Sequence, residues 1–346
     1  MKRIMPREKC STCFLLLLLI LGLHGCAGTY SVVEFEVLEP ANVSFPDQVN
    51  RLLVLTRAPV TLDSFNEEDR EGFGRRELLI VDSLIINSIK RGLTDALKNS
   101  PVKRFHDPEF IAQRRKDTLF TRDLILTKRE VNALCERTST DAIVSLEKYS
   151  LRMEQQYDYY DDGEGVALVR NHFYIFSNRI QWTIYLPGNP RPFDEYSTVD
   201  TLYFPRVEDG VFTGAPSSAE MLRELFYESG LRYGSYLVPV WVRAYRTVYT
   251  GKEDALRKAS RHTREGEWDV AYALWEQTAT SADSTLAAKS LYNMAIYHEL
   301  EDDLDSASLL IDRSLQYDSL ELLHDYREEL DVRLENRKEV IEQVIN

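Results

Sequence analysis

The chain has 346 residues and a formal net charge of -14, with 44% hydrophobic and 28% charged residues. That length allows two domains of ordinary size, and the balance is typical of a folded globular protein, which excludes a largely disordered chain. Because an acidic surface repels nucleic acid, we expect no nucleic-acid partner.

The N-terminus carries a short apolar run that predicts export. Basic residues precede Phe14–Leu23, and the run closes on His24, Gly25 and Cys26. The run is ten residues long, whereas a helix needs about 20 to cross the hydrocarbon core, which disfavours a retained transmembrane anchor. We therefore predict a signal peptide over residues 1–25. Its removal takes away four basic groups and Glu8, and changes the net charge from -14 to -17.

The boundary Leu23-His24-Gly25-Cys26 resembles the lipobox of bacterial lipoproteins. The resemblance implies that Cys26 receives a diacylglycerol, becomes the first residue of the mature protein and is acylated by a fatty acid such as palmitate. Residues 26–30 would then be a lipidated tether. The tether has no Asp beside Cys26, which favours the periplasmic face of the outer membrane. A secretory signal without lipidation stays open, because His24 is larger than the residue usual before Gly-Cys.

Residues 31–250 are predicted to form one mixed α/β domain. Apolar and acidic residues alternate in Ser31–Leu38 with the period of a half-buried strand. The continuous run Leu52–Leu55 is typical of a strand covered on both faces. Apolar spacing predicts a helix over Asp82–Asn99, and Val102–Phe105 is predicted to be a short strand.

The same domain continues with a helix, a central strand and hairpins. A capping box, Thr127-x-x-Glu130, opens a helix predicted to end at Arg137. Asp141–Leu146 is predicted to be a central strand, and its place after a helix predicts at least one parallel crossover. Period-two segments in Tyr149–Phe204 predict antiparallel hairpins that extend the same sheet.

Three motifs in this domain could carry chemistry, and for each we favour a structural interpretation. Gly72-Phe73-Gly74 lacks the third glycine of a nucleotide fingerprint. The acidic segment Asp158–Gly165 does not have calcium-loop spacing, so a hairpin tip is favoured. Cys135 is the one cysteine left after processing and acylation, so no intramolecular disulfide can form. Its helical spacing predicts a buried inert thiol instead of a nucleophile.

A second capping box, Ser217-x-x-Glu220, opens a long helix that Pro239 should kink or break. The aromatic and basic segment Tyr236–Arg246 has two interpretations. It is either a packed exit helix, with arginine stems over aromatic rings, or a partner-facing patch, because Trp, Tyr and Arg anchor interfaces. Such a patch would present Trp241, Arg243, Tyr245 and Arg246.

Residues 251–346 are predicted to be all helical and internally repeated. Aligning residues 266–271 on 302–307 gives a shift of 36 residues, which places Trp275 on Ile311. Small residues recur at Ala259, Ala271, Ala295 and Ala307. This pattern resembles a tetratricopeptide repeat and implies helical hairpins. The repeat period differs from the usual tetratricopeptide period of about 34 residues, and only two units are visible. We therefore expect a helix over Leu320–Ile345 to cap these two units.

The same shift of 36 residues places His262 on His298. The two side chains could pack, line a concave partner-binding groove or meet as metal ligands. We disfavour metal because no Cys or carboxylate has suitable spacing beside them. No H-E-x-x-H, G-x-S-x-G or P-loop occurs, so we predict no catalytic, cofactor-binding or metal residue and no enzyme.

Together these features resemble a family of Bacteroidota lipoproteins with an N-terminal α/β domain and C-terminal tetratricopeptide-like repeats. The segment Leu237-Val-Pro-Val-Trp241 also resembles periplasmic domains of curli-secretion-type lipoproteins. The resemblance implies a membrane-anchored adaptor whose repeats and α/β face bind another envelope protein or peptide. Two other classes stay open: an oligomerising subunit of an envelope secretion or assembly machine, and an enzyme whose site forms only in three dimensions.

Overall fold

The computed structural model describes residues 30–58, 75–113, 125–161, 167–208, 211–212 and 216–345. The predicted signal peptide, Cys26, the Gly72-Phe73-Gly74 turn and residues 162–166 of the predicted hairpin tip lie outside these ranges. The predicted fold class is confirmed, because a mixed α/β sheet region precedes an all-helical region. Within the described ranges, no helix combines the length and apolar character that a membrane span requires.

Up to residue 249 the described residues form both strands and helices, and after it the regular elements are all helices. The strands are β1 (Tyr30–Glu39), β2 (Leu52–Thr56), β3 (Glu109–Ala112), β4 (Ala142–Asp161), β5 (Ala167–Tyr185), β6 (Asp194–Glu208), β7 (Val211–Phe212) and β8 (Val240–Tyr249). The helices are α1 (Arg75–Asn99), α2 (Lys128–Thr138), α3 (Ser218–Leu237), α4 (Asp254–Arg264), α5 (Trp268–Thr278), α6 (Ser284–Leu300), α7 (Leu304–Tyr317) and α8 (Glu321–Ile345).

The main sheet has the strand order β3-β2-β4-β5-β6-β7. β2 pairs in parallel with β3 and β4, whereas β4, β5 and β6 are antiparallel, as the crossover and hairpin patterns predict. The strand predicted at Val102–Phe105 is wrong, because Lys103–Phe105 is a 3-10 turn. The strand instead follows at Glu109–Ala112, in a charged stretch whose four residues are too few to show a period.

Helices cover both faces of the parallel part of the sheet. Leu52 and Val54 face a core shared with α1 and α3, and Leu53 and Leu55 face a second core with α2. The predicted strand with two covered faces is therefore confirmed. Cys135 lies in the second core, and burial raises the pKa of its thiol, as expected for an inert cysteine.

Helices α1 and α3 touch through their backbones at glycines. A Cβ built on Gly92 would collide with the carbonyl oxygen of Tyr227, and one built on Gly230 would collide with the carbonyl oxygen of Ile89. Only glycine permits this separation, so these two positions bring the covering helices together.

The chain forms two compact units that are not consecutive in sequence. One unit, the sheet unit, comprises Leu38–Val242 and Asn336–Asn346, and it contains the main sheet with α1, α2 and α3. The other, the helical unit, comprises the described part of Met1–Val37 and all of Arg243–Glu335. The strands β1 and β8 pair as a separate two-stranded sheet.

The helical unit has a core of its own. The small residues that recur in the repeat alignment, Ala259, Ala271, Ala295 and Ala307, are all fully buried, as are Trp275 and Ile311. Tyr249 of β8 and Tyr326 of α8 join this core. The helix predicted from Leu320 is confirmed as α8, which begins one residue later.

Candidate functional site

The aromatic and basic segment after Pro239 is a strand, which corrects the expectation of a packed exit helix. α3 ends at Leu237, and the exposure of β8 alternates, with Trp241, Arg243 and Tyr245 on its exposed side. Pro239 explains why the helix ends two residues before it, because proline supplies no backbone donor. The valines that flank Pro239 favour extended backbone, so the chain continues as a strand.

Strand β1 presents a matching exposed face. Tyr30 and Val32 are 53% and 67% exposed, and Tyr245 of β8 is 55% exposed. The Arg243 guanidinium lies 3.3 Å from a carboxylate oxygen of Glu34, which puts the exposed faces of β1 and β8 on the same side of their sheet. We call Tyr30, Val32, Arg243 and Tyr245 the ribbon face. Its apolar and aromatic side chains lie open to solvent.

Arg246 does not lie on this surface, although the sequence groups it with the exposed patch. Its guanidinium donates two hydrogen bonds to Glu299, at 2.9 and 2.8 Å, and the Glu299 carboxylate is fully buried. The partly exposed Glu329 carboxylate and Arg333 complete the cluster, at 2.8 Å from Arg246 and 3.0 Å from Glu299. Arg246 therefore joins β8 to α6 and α8 and serves the fold of the helical unit.

The electrostatics of this cluster favour the charged forms. Burial by itself would lower the pKa of Arg246, but the hydrogen bonds and charge of Glu299 outweigh it, so the pKa lies above its ordinary value. The guanidinium also lies over the rings of Phe35 and Tyr326, at 5.7 and 5.9 Å from their centroids. The predicted contact of an arginine with aromatic rings therefore occurs, but in the interior.

His262 and His298, which occupy equivalent positions in the two repeats, each contact a carboxylate across a turn. His262 Nδ1 lies 2.6 Å from Glu267, and His298 Nδ1 lies 3.2 Å from Asp303, at the same spacing of five residues. In each turn the backbone N–H of the acidic residue also donates to the histidine carbonyl at 2.8 Å. We interpret both histidines as turn residues, because each ring already has a carboxylate partner.

The turn that contains His262 also has groups that could bind a metal ion. Within the described ranges, His262, Glu265 and Glu267 place one ligand atom each within 4.8 Å of one another. We did not expect carboxylates with suitable spacing beside His262, but Glu265 and Glu267 lie there. They are exposed, however, and exposed acidic groups commonly cluster without a metal, so the geometry by itself assigns no ion.

A row of stacked rings, absent from the sequence predictions, crosses β4 and β5. The rings of Tyr157 and His172 stack at 4.2 Å, Tyr157 stacks on Tyr159 at 6.2 Å, and His172 packs on Tyr174 at 5.0 Å. Arg206, the extra residue of a bulge in β6, donates a hydrogen bond of 2.9 Å to the Tyr174 hydroxyl. We call these four rings the tyrosine strip.

The tyrosine strip continues the core face of the sheet into solvent. Tyr174 packs against the main core, whereas Tyr157 and Tyr159 are 43% and 60% exposed. The cross-strand pairs Tyr157–His172 and Gln155–Tyr174 place the rings on one face. The sequence shows the tyrosines, but only the register shows that they form a row. Burial and the Arg206 charge lower the pKa of His172, which favours a neutral ring at the centre of the strip.

The ends of the parallel strands carry a buried ion pair. Arg57, one residue after β2, donates to Glu147 at 2.9 Å, and the Tyr185 hydroxyl donates to the same carboxylate oxygen at 3.3 Å. Burial and the Glu147 charge raise the pKa of Tyr185 to about 12, so the phenol keeps its proton at neutral pH. The carboxylate already accepts two donors, which suits a structural link better than proton transfer.

A small cavity of about 170 Å³ lies elsewhere in the sheet unit. Phe45, Val102, Phe105 and Leu237 form its apolar wall, and Asp47 and Glu342 are among its polar lining residues. A site of this volume is below the usual size for a drug-sized ligand.

Two family descriptions match the sequence. Residues 49–249 match "Domain of unknown function (DUF8603)", and residues 257–331 match "Domain of unknown function (DUF6340)". No curated protein matches the chain.

Two solved structures are distantly similar to this chain. A neuraminyllactose-binding hemagglutinin homolog from Helicobacter pylori is 10% identical, with a TM-score of 0.26, over 57% of this chain and 91% of that one. The PelC dodecamer from Paraburkholderia phytofirmans is 8% identical, with a TM-score of 0.22, over 57% and 94%. Likeness at this level carries no argument about fold or function. The first family match spans more than half of the 346 residues, and the chain therefore belongs to the family described as "Domain of unknown function (DUF8603)".

Proposed function

We propose that this protein is a lipoprotein, anchored through Cys26 at the periplasmic face of the outer membrane, that acts as a non-enzymatic adaptor and binds another envelope protein. The observation that carries the adaptor role is the tyrosine strip. An aromatic row that begins in the core and ends in solvent offers a partner a preformed apolar surface. Tyr and Arg are enriched in protein interfaces, and rigid aromatic rings lose little entropy on binding.

The sequence of the N-terminus supports the anchor. The apolar run before Cys26 is too short to span a bilayer, and several acyl chains together hold a protein firmly where one holds it only weakly. The folded part then needs no apolar belt of its own. The tyrosine strip is then free for protein binding.

Photocrosslinking in the native envelope tests the adaptor role. A benzoyl-phenylalanine at Tyr159 is expected to capture a discrete partner, because this ring is the exposed end of the strip. Tyr203 is a matched control, since it is 62% exposed and lies on the opposite face of the same sheet. Equal adducts at both positions, or none at Tyr159, would contradict the proposal. An adduct with the mass of two chains would favour the oligomerising subunit instead.

Metabolic labelling tests the anchor separately. A fatty-acid analogue is expected to label the wild-type protein and to leave the Cys26→Ala variant unlabelled and released from the membrane fraction. An unlabelled wild-type protein would show that the signal is secretory without lipidation.

A further inference from the structure

The ribbon face of the helical unit is another open apolar surface among the described residues, and it lies close in sequence to the proposed anchor. Only residues 27–29 separate Cys26 from Tyr30. Four Cα–Cα steps reach at most about 14 Å. Because the acylated cysteine lies at the bilayer surface, the first residue of β1 cannot lie far from the headgroups, whose layer is about 5–8 Å thick.

We infer that the ribbon face rests on the phospholipid headgroup layer of the membrane that anchors Cys26. This inference rests on the proposed lipidation. The occupant is therefore a lipid surface, and the proposal assigns Tyr30, Val32 and Tyr245 as the residues that contact it.

The order of side chains along β1 fits such a contact. Tyr30 and Val32 come first after the tether, and the exposed Glu34 and Glu36 come later. A strand rises about 3.3 Å per residue, so Glu36 lies about 20 Å beyond Tyr30. The apolar residues of β1 are thus nearest the anchor along the chain, and the acidic residues follow farther from Cys26.

The chemistry of the face suits an interface more than a hydrocarbon core. Tyrosine concentrates at membrane–water interfaces, where its ring is apolar and its hydroxyl stays wet. Arg243 pairs with Glu34, which compensates the acidic group nearest to the apolar residues. That pairing matters because the processed chain carries a net charge of -17 and is otherwise repelled by anionic lipid.

The processed protein offers a clean background for a site-specific probe. Cys10 and Cys13 leave with the signal peptide, Cys26 is acylated, and Cys135 is buried with a raised thiol pKa. A new surface cysteine is therefore the one reactive thiol. We would introduce Val32→Cys, Tyr245→Cys or Leu309→Cys into the full-length protein and attach an environment-sensitive fluorophore. Leu309 is the control, because it is 63% exposed on α7.

The labelled lipidated proteins are reconstituted in phosphatidylethanolamine vesicles with a minor fraction of phosphatidylglycerol. Lipids with a headgroup nitroxide are expected to quench the probes at positions 32 and 245 severalfold more than the probe at 309. Adding Tyr30→Ser and Tyr245→Ser to the Val32→Cys protein is expected to reduce that quenching.

Three results would overturn the inference, and they distinguish a failed membrane contact from a failed anchor. If the protein floats with the vesicles but all three probes are quenched equally weakly, the anchor stands and the ribbon face is in water. Protection of position 245 by a protein partner in the native envelope, without lipid quenching, leads to the same conclusion. If the wild-type protein is not acylated and does not float, the anchor and the membrane contact both fail.

Discussion

At the scale of single residues, Arg243 and Arg246 show how position decides the role of one residue type. They lie three residues apart in one strand, yet Arg243 forms an exposed ion pair and Arg246 a buried one. Removing one member of a buried pair leaves an uncompensated charge, which costs far more than the loss of an exposed pair.

We therefore predict that Arg246→Leu lowers the free energy of unfolding of the helical unit by about 3–5 kcal/mol. Arg243→Leu is expected to lower it by about 1 kcal/mol or less, because water screens the exposed pair. Urea unfolding, monitored by tryptophan fluorescence, measures the free energy of unfolding of both variants, since Trp275 is buried in this unit. Equal losses in the two variants would contradict the structural role given to Arg246.

At the scale of elements, the ends of helices and the contacts between helices lead to testable predictions about stability. Both predicted capping boxes are present, at Thr127 with Glu130 and at Ser217 with Glu220. The contact between α1 and α3, by contrast, depends on glycines that face each other from distant parts of the chain.

The first capping box predicts a pH dependence. The backbone N–H of Thr127 donates to Glu130 at 2.8 Å and, with the Thr127 hydroxyl, lowers the pKa of Glu130 below its ordinary value of 4.5. A lowered pKa in the folded state adds stability above pH 4.5, and this contribution is lost as the pH falls through the lower folded value. Thr127→Ala is expected to cost about 1 kcal/mol at neutral pH.

Urea unfolding of wild type and Glu130→Gln, at neutral pH and in acid, checks the sign. The difference in stability between the two proteins is expected to shrink as the pH falls, because Gln cannot ionise. A difference that stays constant or grows in acid would show that the Glu130 charge does not stabilise α2.

The helix contact predicts that Gly230→Ala destabilises the sheet unit. The new methyl group would meet the carbonyl oxygen of Ile89, and this backbone atom cannot move without separating the helices. We expect a loss of about 1–3 kcal/mol, the usual cost of overpacking. Glu228→Ala is the control, since Glu228 is exposed on the same helix and should change stability by about 0.5 kcal/mol or less. Thermal unfolding monitored by circular dichroism compares the stability of the Gly230→Ala and Glu228→Ala variants.

At the scale of the whole molecule, the last helix contributes to both units. α8 begins in the helical unit, but Asn336–Asn346 belong to the sheet unit. There the Gln343 amide pairs with the backbone of Ala41, accepting from its N–H at 2.8 Å and donating to its carbonyl at 2.9 Å. This pairing joins residues 302 positions apart.

We predict that Gln343→Ala destabilises the segment around Ala41, although the substitution lies near the end of the sequence. Two net hydrogen bonds contribute about 1–3 kcal/mol together. Hydrogen exchange at Ala41 should therefore accelerate in Gln343→Ala and stay unchanged in Glu339→Ala, whose side chain is exposed. Unchanged exchange in both variants would show that the pairing does not hold this segment.

The sequence predicts the local features well, and it misses those that depend on distant partners. The helix at Lys128–Thr138 and the two-sided burial of Leu52–Leu55 are confirmed, because a capping box or an apolar run reports on its own element. The exit helix is wrong, because Val, Trp and Tyr favour extended backbone and the exposure of residues 240–245 alternates as in a half-buried strand.

The same distinction applies to the candidate sites, because some follow from the sequence and others depend on the tertiary structure. Sequence patterns alone lead to the proposed acylation of Cys26 and to the mixed sheet followed by helices, whereas they leave the exposure of Trp241 and Tyr245 as one of two interpretations. Only the tertiary structure decides that Arg246 is buried, that the rings of Tyr157 and His172 stack in one row, and that the end of α8 pairs with Ala41. The physical reason is that periodicity tells which face of an element is apolar, whereas burial depends on what the rest of the chain brings against that face.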